Sequence, residues 1–212
     1  MESKKKVGIV GSGHVAKALA AAFKEQGYQV RLGTRDVSKI SDVEAVEKGT
    51  VKEAIDYSDL LVLCVKGNVA ASVLEGHDLS NKIVIDTTNP IEDVAPKNGV
   101  LQLFTENNYS LMESLQEAFP EAYFVKAMNS VGSHLMYKPE YDGQKPTMFY
   151  CGDNQHAKDV VRGILESFGW DPLDMGNKES AGALESLCVL WCIPGFRENK
   201  WTHAFKVLEK RV

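Results

Sequence analysis

The chain has 212 residues, enough for one sizeable domain with a compact appendage and too few for two large ones. Its formal net charge of -5 speaks against a nucleic-acid partner, because a general backbone binder presents a basic field. The longest apolar runs, Leu60 to Val65 and Leu187 to Ile193, fall far short of the roughly 20 residues of a spanning helix, so no membrane segment is expected.

In chain order, Lys4-Lys5-Lys6 reads as a solvated start. The apolar strand Val7-Gly8-Ile9-Val10 then runs into Gly11-Ser12-Gly13-His14-Val15-Ala16. This is G-x-G-x-x-A between a strand and a helix, the setting of a dinucleotide cradle. Gly11 makes the tight turn, Gly13 lets the main chain approach a pyrophosphate, and Ala16 lets the helix lie close on the sheet. Val15, Leu19, Ala22 and Phe23 form one helical stripe, and Gly27 ends the helix. A second strand follows from Tyr28 to Leu32.

The residue that meets the adenine ribose is expected at the tip of that second strand. An acid there favours NAD. Here the run is Thr34-Arg35-Asp36-Val37-Ser38-Lys39, in which Arg35, helped by Thr34 and Lys39, suits a 2′-phosphate, so NADP(H) is the expected cofactor. A small rotation of the loop would bring Asp36 to the ribose instead.

Val43 to Gly49 and Val51 to Ile55 read as short helical pieces. Leu60 to Val65 is a strand covered on both faces, Asn68 to Leu74 a helix, and Ile83 to Asp86 a strand that Pro90 keeps from continuing as helix. Ser110-x-x-Glu113 is a capping box for a helix reaching Pro120. Tyr123 to Ala127 and Thr147 to Cys151 are strands, Ala157 to Phe168 a helix, and Asp171 to Met175 a short edge strand. Two helices, Glu179 to Ile193 and Glu198 to Glu209, are expected to close the chain on either side of Pro194-Gly195. The expected fold is α/β, a Rossmann-type doubly wound parallel sheet with additional carboxyl-terminal helices. Residues 1–150 form the dinucleotide-binding core, and residues 151–212 a helix-strand extension and terminal helices packed in the same domain. Cys64, Cys151, Cys188 and Cys192 lack metal or disulfide spacing, so no metal is expected and the thiols suit a reducing cytoplasm.

Strand ends at Val65-Lys66-Gly67-Asn68, Asp86-Thr87-Thr88-Asn89-Pro90 and Lys126-Ala127-Met128-Asn129-Ser130 bring mostly neutral hydroxyls and amides to one edge. That suits a nicotinamide and a second ring better than acid–base chemistry. Each of these residues taken alone is equally an ordinary strand terminator or helix cap.

The ordered set of motifs resembles the family of NADP oxidoreductases dependent on the deazaflavin F420. The set comprises the glycine turn, Thr34-Arg35-x-x-x-Lys39, Asp86 to Pro90, Lys126 to Val131, and Asp174-Met175-Gly176 followed by Ala183-Leu184-Glu185. It is also similar to the cytosolic reductase part of the six-transmembrane ferric reductases. The resemblance implies Gly11, Ser12, Gly13, His14 and Val15 around the pyrophosphate, and Thr34, Arg35 and Lys39 around the 2′-phosphate. Val65, Asn89 and Ala127 then lie along the ribose and nicotinamide, and Asn129, Ser130 and His134 approach the acceptor ring; Thr88 and Met128 are expected to bound the same pocket. Met128 departs from the family's usual Phe. The implied reaction is direct hydride transfer between NADPH and a deazaflavin or flavin acceptor, F420, FMN or FAD, with no assigned general acid or base. A non-catalytic NADPH-binding regulatory or partner protein is the alternative. An imine or β-hydroxyacid dehydrogenase is disfavoured, because those enzymes append a long helical domain. The family also implies a homodimer, and Leu184, Leu187, Cys188 and Trp191 mark its expected face on the late helix.

Overall fold

A computed structural model describes residues 5–39, 46–106 and 109–210. Apolar runs of four or five residues build a parallel sheet of β1 (Lys6–Val10), β2 (Gln29–Gly33), β3 (Glu47–Gly49), β4 (Leu60–Leu63), β5 (Ile83–Asp86) and β6 (Tyr123–Lys126). The spatial order is β3-β2-β1-β4-β5-β6, so the winding reverses between β1 and β4. Ligands of doubly wound sheets bind beyond the carboxyl ends at such a reversal.

Helices cover both faces, which is why the central strands are apolar on both sides. Helix α1 (His14–Glu25) packs Leu19, Ala20 and Phe23 on the side of Val7 and Ile9. Opposite it lie α2 (Val51–Tyr57), α3 (Ala70–Leu74) and α4 (Leu111–Ala118), over Val10, Leu61 and Leu63. Capping boxes start α2 at Thr50 with Glu53 and α4 at Ser110 with Glu113.

A two-stranded parallel sheet, β7 (Thr147–Tyr150) and β8 (Asp171–Asp174), flanks α5 (Gln155–Ser167). An antiparallel bridge joins it to the main sheet, the Lys126 and Cys151 amides each donating to the other's carbonyl at 3.0 and 3.2 Å. Val161, Ile164 and Leu165 of α5, with Phe168 at its C-cap, enter the same core as α1. Among the described residues no helix is long and apolar enough to cross a membrane.

The structure departs from the sequence-based elements in three places. Glu47–Gly49, expected as helix, is instead the edge strand β3, with Arg31 facing Glu47 in register and the two side chains ion-paired. The rest of that expected piece, Val43 to Ala45, lies outside the described residues.

Pro194 does not divide two helices. Helix α6 runs Ala181–Glu198 with Pro194 in its last turns, where the ring removes a single ladder hydrogen bond. It ends instead at left-handed Asn199, whose amide donates to Gly195 O at 2.9 Å while the Lys200 amide donates to Pro194 O at 3.2 Å. Beyond it, residues 201–210 are not helical. Trp201 lies over Gly195, where a β-carbon would come within 2.2 Å of its ring, and Trp191 Nε1 donates to His203 O at 2.8 Å. The segment then covers the edge of β7, the Thr147 amide donating to Phe205 O at 2.8 Å.

The third departure concerns the apolar face expected at a dimer interface. Leu184, Cys188 and Trp191 are buried within the chain itself, at 3%, 5% and 5% exposure, and Leu187 is half-buried. The outward side of α6 carries Leu190 and Phe196.

Candidate functional site

The glycine turn lies where the sheet order reverses. Gly11 has φ +138° and donates its amide to Gly33 O at 2.9 Å, while the Cys64 amide donates to Val10 O at 2.8 Å. These two bonds fix the turn between β2 and β4. Helix α1 follows with Gly13 at its N-cap, and among the described residues no side chain caps it and no acid stands in its first turn. By contrast, Thr50, Ser110 and Asn154 cap α2, α4 and α5 with side-chain oxygens. The α1 amides and the positive end of its dipole are thus left to whatever enters the cleft.

That cleft has a volume of about 540 Å3. The structure brings together on its wall Gly11, Ser12, Gly13, His14 and Val15 from the turn, Thr34 and Arg35 from the end of β2, and Val65 from the end of β4. Thr34 Oγ1 lies 3.4 Å from Ser12 Oγ, linking the turn to the β2 tip. Lys39 closes the single helical turn Val37–Lys39. Asp36 Oδ1 accepts from the Ser38 amide at 3.1 Å and from Ser38 Oγ at 2.6 Å, so this oxygen braces the loop.

A smaller cleft of about 250 Å3 adjoins the first and shares Val65, Lys66 and Thr87 with it. Thr88 and Asn89 line it, and Lys66 Nζ pairs with Asp93 Oδ1 at 3.2 Å on its rim. The remaining residues expected near the nicotinamide and acceptor line neither cleft. Ala127 and Met128 are buried in the hydrophobic core, Met128 in the left-handed region at φ +60°. Asn129 and Ser130 are 5% and 6% exposed, and His134 is exposed on the turn Ser133–Leu135.

Sequence reasoning brought Lys66 to this edge without giving it a role, and it missed the apolar walls Val51, Val69 and Val73. A valine in a helix signals core and nothing more. Cys64 also reaches the cleft; burial pushes its thiol up to about 12, against a hydrogen bond from Thr87 that lowers it.

Beneath the clefts lies a buried ion cluster that was also missed. Lys126 Nζ stands 2.7 Å from Asp86 Oδ2, 2.9 Å from Glu185 Oε1 and 2.8 Å from Thr88 O, with every side chain of the cluster at most 1% exposed. Asp86 Oδ1 accepts from the Thr88 amide and hydroxyl at 2.9 and 2.7 Å, and Glu185 accepts from the Leu111 and Met112 amides that open α4. Burial disfavours the Lys126 ammonium, but the two carboxylates outweigh it and raise its pKa. The available signal was charge closing an apolar run, since Lys126 and Asp86 end strands and Glu185 sits in an apolar helix.

Residues 6–90 match the family model of NADP oxidoreductases, coenzyme F420-dependent. The chain is 28% identical over 196 residues to metalloreductase STEAP3 of Rattus norvegicus, a match covering 89% of this chain and 38% of that protein. It is 26% identical to human metalloreductase STEAP2 over 85% of its own length and 35% of the relative's, so it spans little more than a third of these curated relatives. The crystal structure of a candidate F420-dependent NADP reductase from Arthrobacter sp. FB24 superposes with a TM-score of 0.87 at 26% identity, covering 98% of this chain and all of that one. Motif order, sequence match and superposition agree: the chain is similar to the F420-dependent NADP oxidoreductases over residues 6–90 and to about a third of the length of the metalloreductases.

Proposed function

We propose that the chain binds NADP(H) across the two joined clefts and transfers hydride between NADPH and a deazaflavin or flavin-type acceptor. The observation that carries this reading is the uncapped α1 N-terminus opening onto the larger cleft, with Thr34 and Arg35 on the wall beside it. The cleft fits the cofactor, because Gly13 leaves open space where a β-carbon would stand and the wall beside the bare amides bears a guanidinium.

When bound, the nicotinamide supplies the hydride chemistry. In this reading the Gly11 to Val15 turn holds the pyrophosphate through main-chain amides, and Arg35 with Thr34 and Lys39 holds the 2′-phosphate. Val65 and Asn89 flank the nicotinamide ribose. Val51, Val69 and Val73 exclude water, and Thr88, Ser130 and His134 stand toward the acceptor. The protein's contribution is stacking geometry at about 3 to 3.5 Å, without a general acid or base. F420, FMN and FAD all offer the flat ring this reading requires.

The assembly is proposed as a homodimer through the outward side of α6. Leu190 and Phe196 are 55% and 47% exposed there, and Gly99 packs against Arg197, which brings exposed Val100 beside the same helix end. The four free thiols suit a reducing cytoplasm.

Anaerobic stopped-flow mixing of NADPH-loaded protein with F420, FMN and FAD in turn tests the reaction. Rapid loss of nicotinamide absorbance with one of them supports it. Tight NADPH binding without oxidation by any would reassign the chain as a cofactor-binding regulatory or partner protein.

A further inference from the structure

Three residues beyond β6 stands an amide side chain, Asn129, whose two donor hydrogens are both spoken for. Asn129 Nδ2 donates to Asn89 Oδ1 at 2.9 Å and to Leu184 O at 2.8 Å, and Asn89 Nδ2 donates to Asn129 O at 2.8 Å. Main-chain carbonyls only accept, so the bonds to Leu184 O and Asn129 O fix the orientation of both side-chain amides. Asn129 therefore has both amide hydrogens engaged inside the protein, at 5% exposure and one side chain behind the wall of the smaller cleft, and only its Oδ1 is left without a hydrogen bond among the described residues. Asn89 keeps one amide hydrogen and one oxygen lone pair, and it lines the smaller cleft.

The anchoring of Asn129 is itself rigid. Its neighbour Met128 is held at φ +60° in the core, Leu184 belongs to α6, and the next residue, Glu185, is tied to Lys126 at 2.9 Å. Two consecutive residues of α6 thus grip the end of β6, and Asn129 passes that grip to Asn89.

We propose that Asn129 is a positioning residue: with both amide hydrogens spent inside the protein, it orients the Asn89 amide toward the nicotinamide half of the cofactor. The proposal rests on the NADP(H) reading above and replaces the acceptor-ring role that the family resemblance implies for Asn129.

The experiment compares two ligands by calorimetry under anaerobic conditions. Adenosine 2′,5′-bisphosphate engages only the larger cleft, whereas NADPH extends into the smaller one. In Asn129→Ala, the bisphosphate should bind as in the unaltered protein while NADPH weakens about tenfold, the effect of a misplaced hydrogen-bonding partner. Asn89→Ala should give the same selective loss, and the double variant should be no worse than Asn89→Ala alone, since the two side chains act as one unit. Equal weakening of both ligands would mean that Asn129 merely supports the fold, and unchanged NADPH binding would mean that it does not act through Asn89. Either overturns the proposal, as does full additivity in the double variant. Should Asn129→Ala fail to fold, Asn89→Ala on the cleft wall decides: unchanged NADPH binding there overturns the proposal. If the unaltered protein binds neither ligand, the NADP(H) reading itself fails.

Discussion

Gly11 stands so close to Cys64 that a β-carbon on it would lie 2.2 Å from the Cys64 carbonyl oxygen. The contact joins the turn after β1 to the end of β4, and φ of +138° at Gly11 excludes other residues independently. Gly11→Ala should therefore destabilise the fold by about 2 kcal/mol or more, read as a lowered midpoint in urea. Gly13→Ala is the contrast, since nothing lies within 4 Å of the added carbon. It should melt like the unaltered protein yet bind NADPH at least about tenfold more weakly, because the methyl group would occupy the approach of the pyrophosphate.

NADPH is expected to bind at least about tenfold tighter than NADH, a difference of about 1.4 kcal/mol, through the pairing of Arg35 with the 2′-phosphate. Arg35→Ala should abolish the preference by lowering NADPH affinity alone. Fluorescence titration with both nucleotides checks it, and equal affinities in the unaltered protein would refute it.

Removing the ammonium of the buried cluster by Lys126→Met leaves Asp86 and Glu185 without their cation. The expected loss is about 3 to 5 kcal/mol, and adding Asp86→Asn and Glu185→Gln should recover part of it. The folded pKa of Lys126 is raised above the ordinary 10.5, so its stabilisation is fully present below that pH and is lost as pH rises through the raised value. Cys64, whose thiol burial pushes up to about 12, adds an alkaline loss common to both proteins, and because Lys126 itself lowers the Cys151 thiol, which burial pushes up to about 12, both proteins carry Cys151→Ala. The difference between the two urea-midpoint curves from pH 9 to 12 isolates Lys126, and it should shrink toward alkaline pH.

Leu190→Glu together with Phe196→Glu should convert a dimer into a monomer of 23.4 kDa by light scattering while leaving NADPH affinity unchanged. A monomer before any substitution would dispose of the interface.

Much of the fold, and the turn and strand tip that wall the larger cleft, were legible because each rests on local signals. Glycine spacing, a strand of unbroken apolar residues and Ser110-x-x-Glu113 act within one turn or one strand. The errors came where distant residues decide. Glu47 reads as helix until Arg31 stands beside it in register. Pro194 reads as a break until the Asn199 amide finds Gly195 O and Trp201 settles over Gly195. The face of Leu184, Cys188 and Trp191 has the spacing of an interface but meets its own sheet and tail. For Asn129 the sequence supplied polarity without direction, and its partners, 40 and 55 residues away, supply the direction.

The buried cluster also bears on the order of synthesis. Asp86 and Lys126 leave the ribosome well before Glu185, so the first two amides of α4, on Leu111 and Met112, have no carboxylate to receive them until the first turns of α6 have emerged. A chain ended after residue 150 and released would hold the glycine turn and all six strands of the main sheet, yet Lys126 would meet one carboxylate where two are required. Such a truncated chain should stay protease-sensitive around residues 109–127, and a chain extended through α6 should lose that sensitivity.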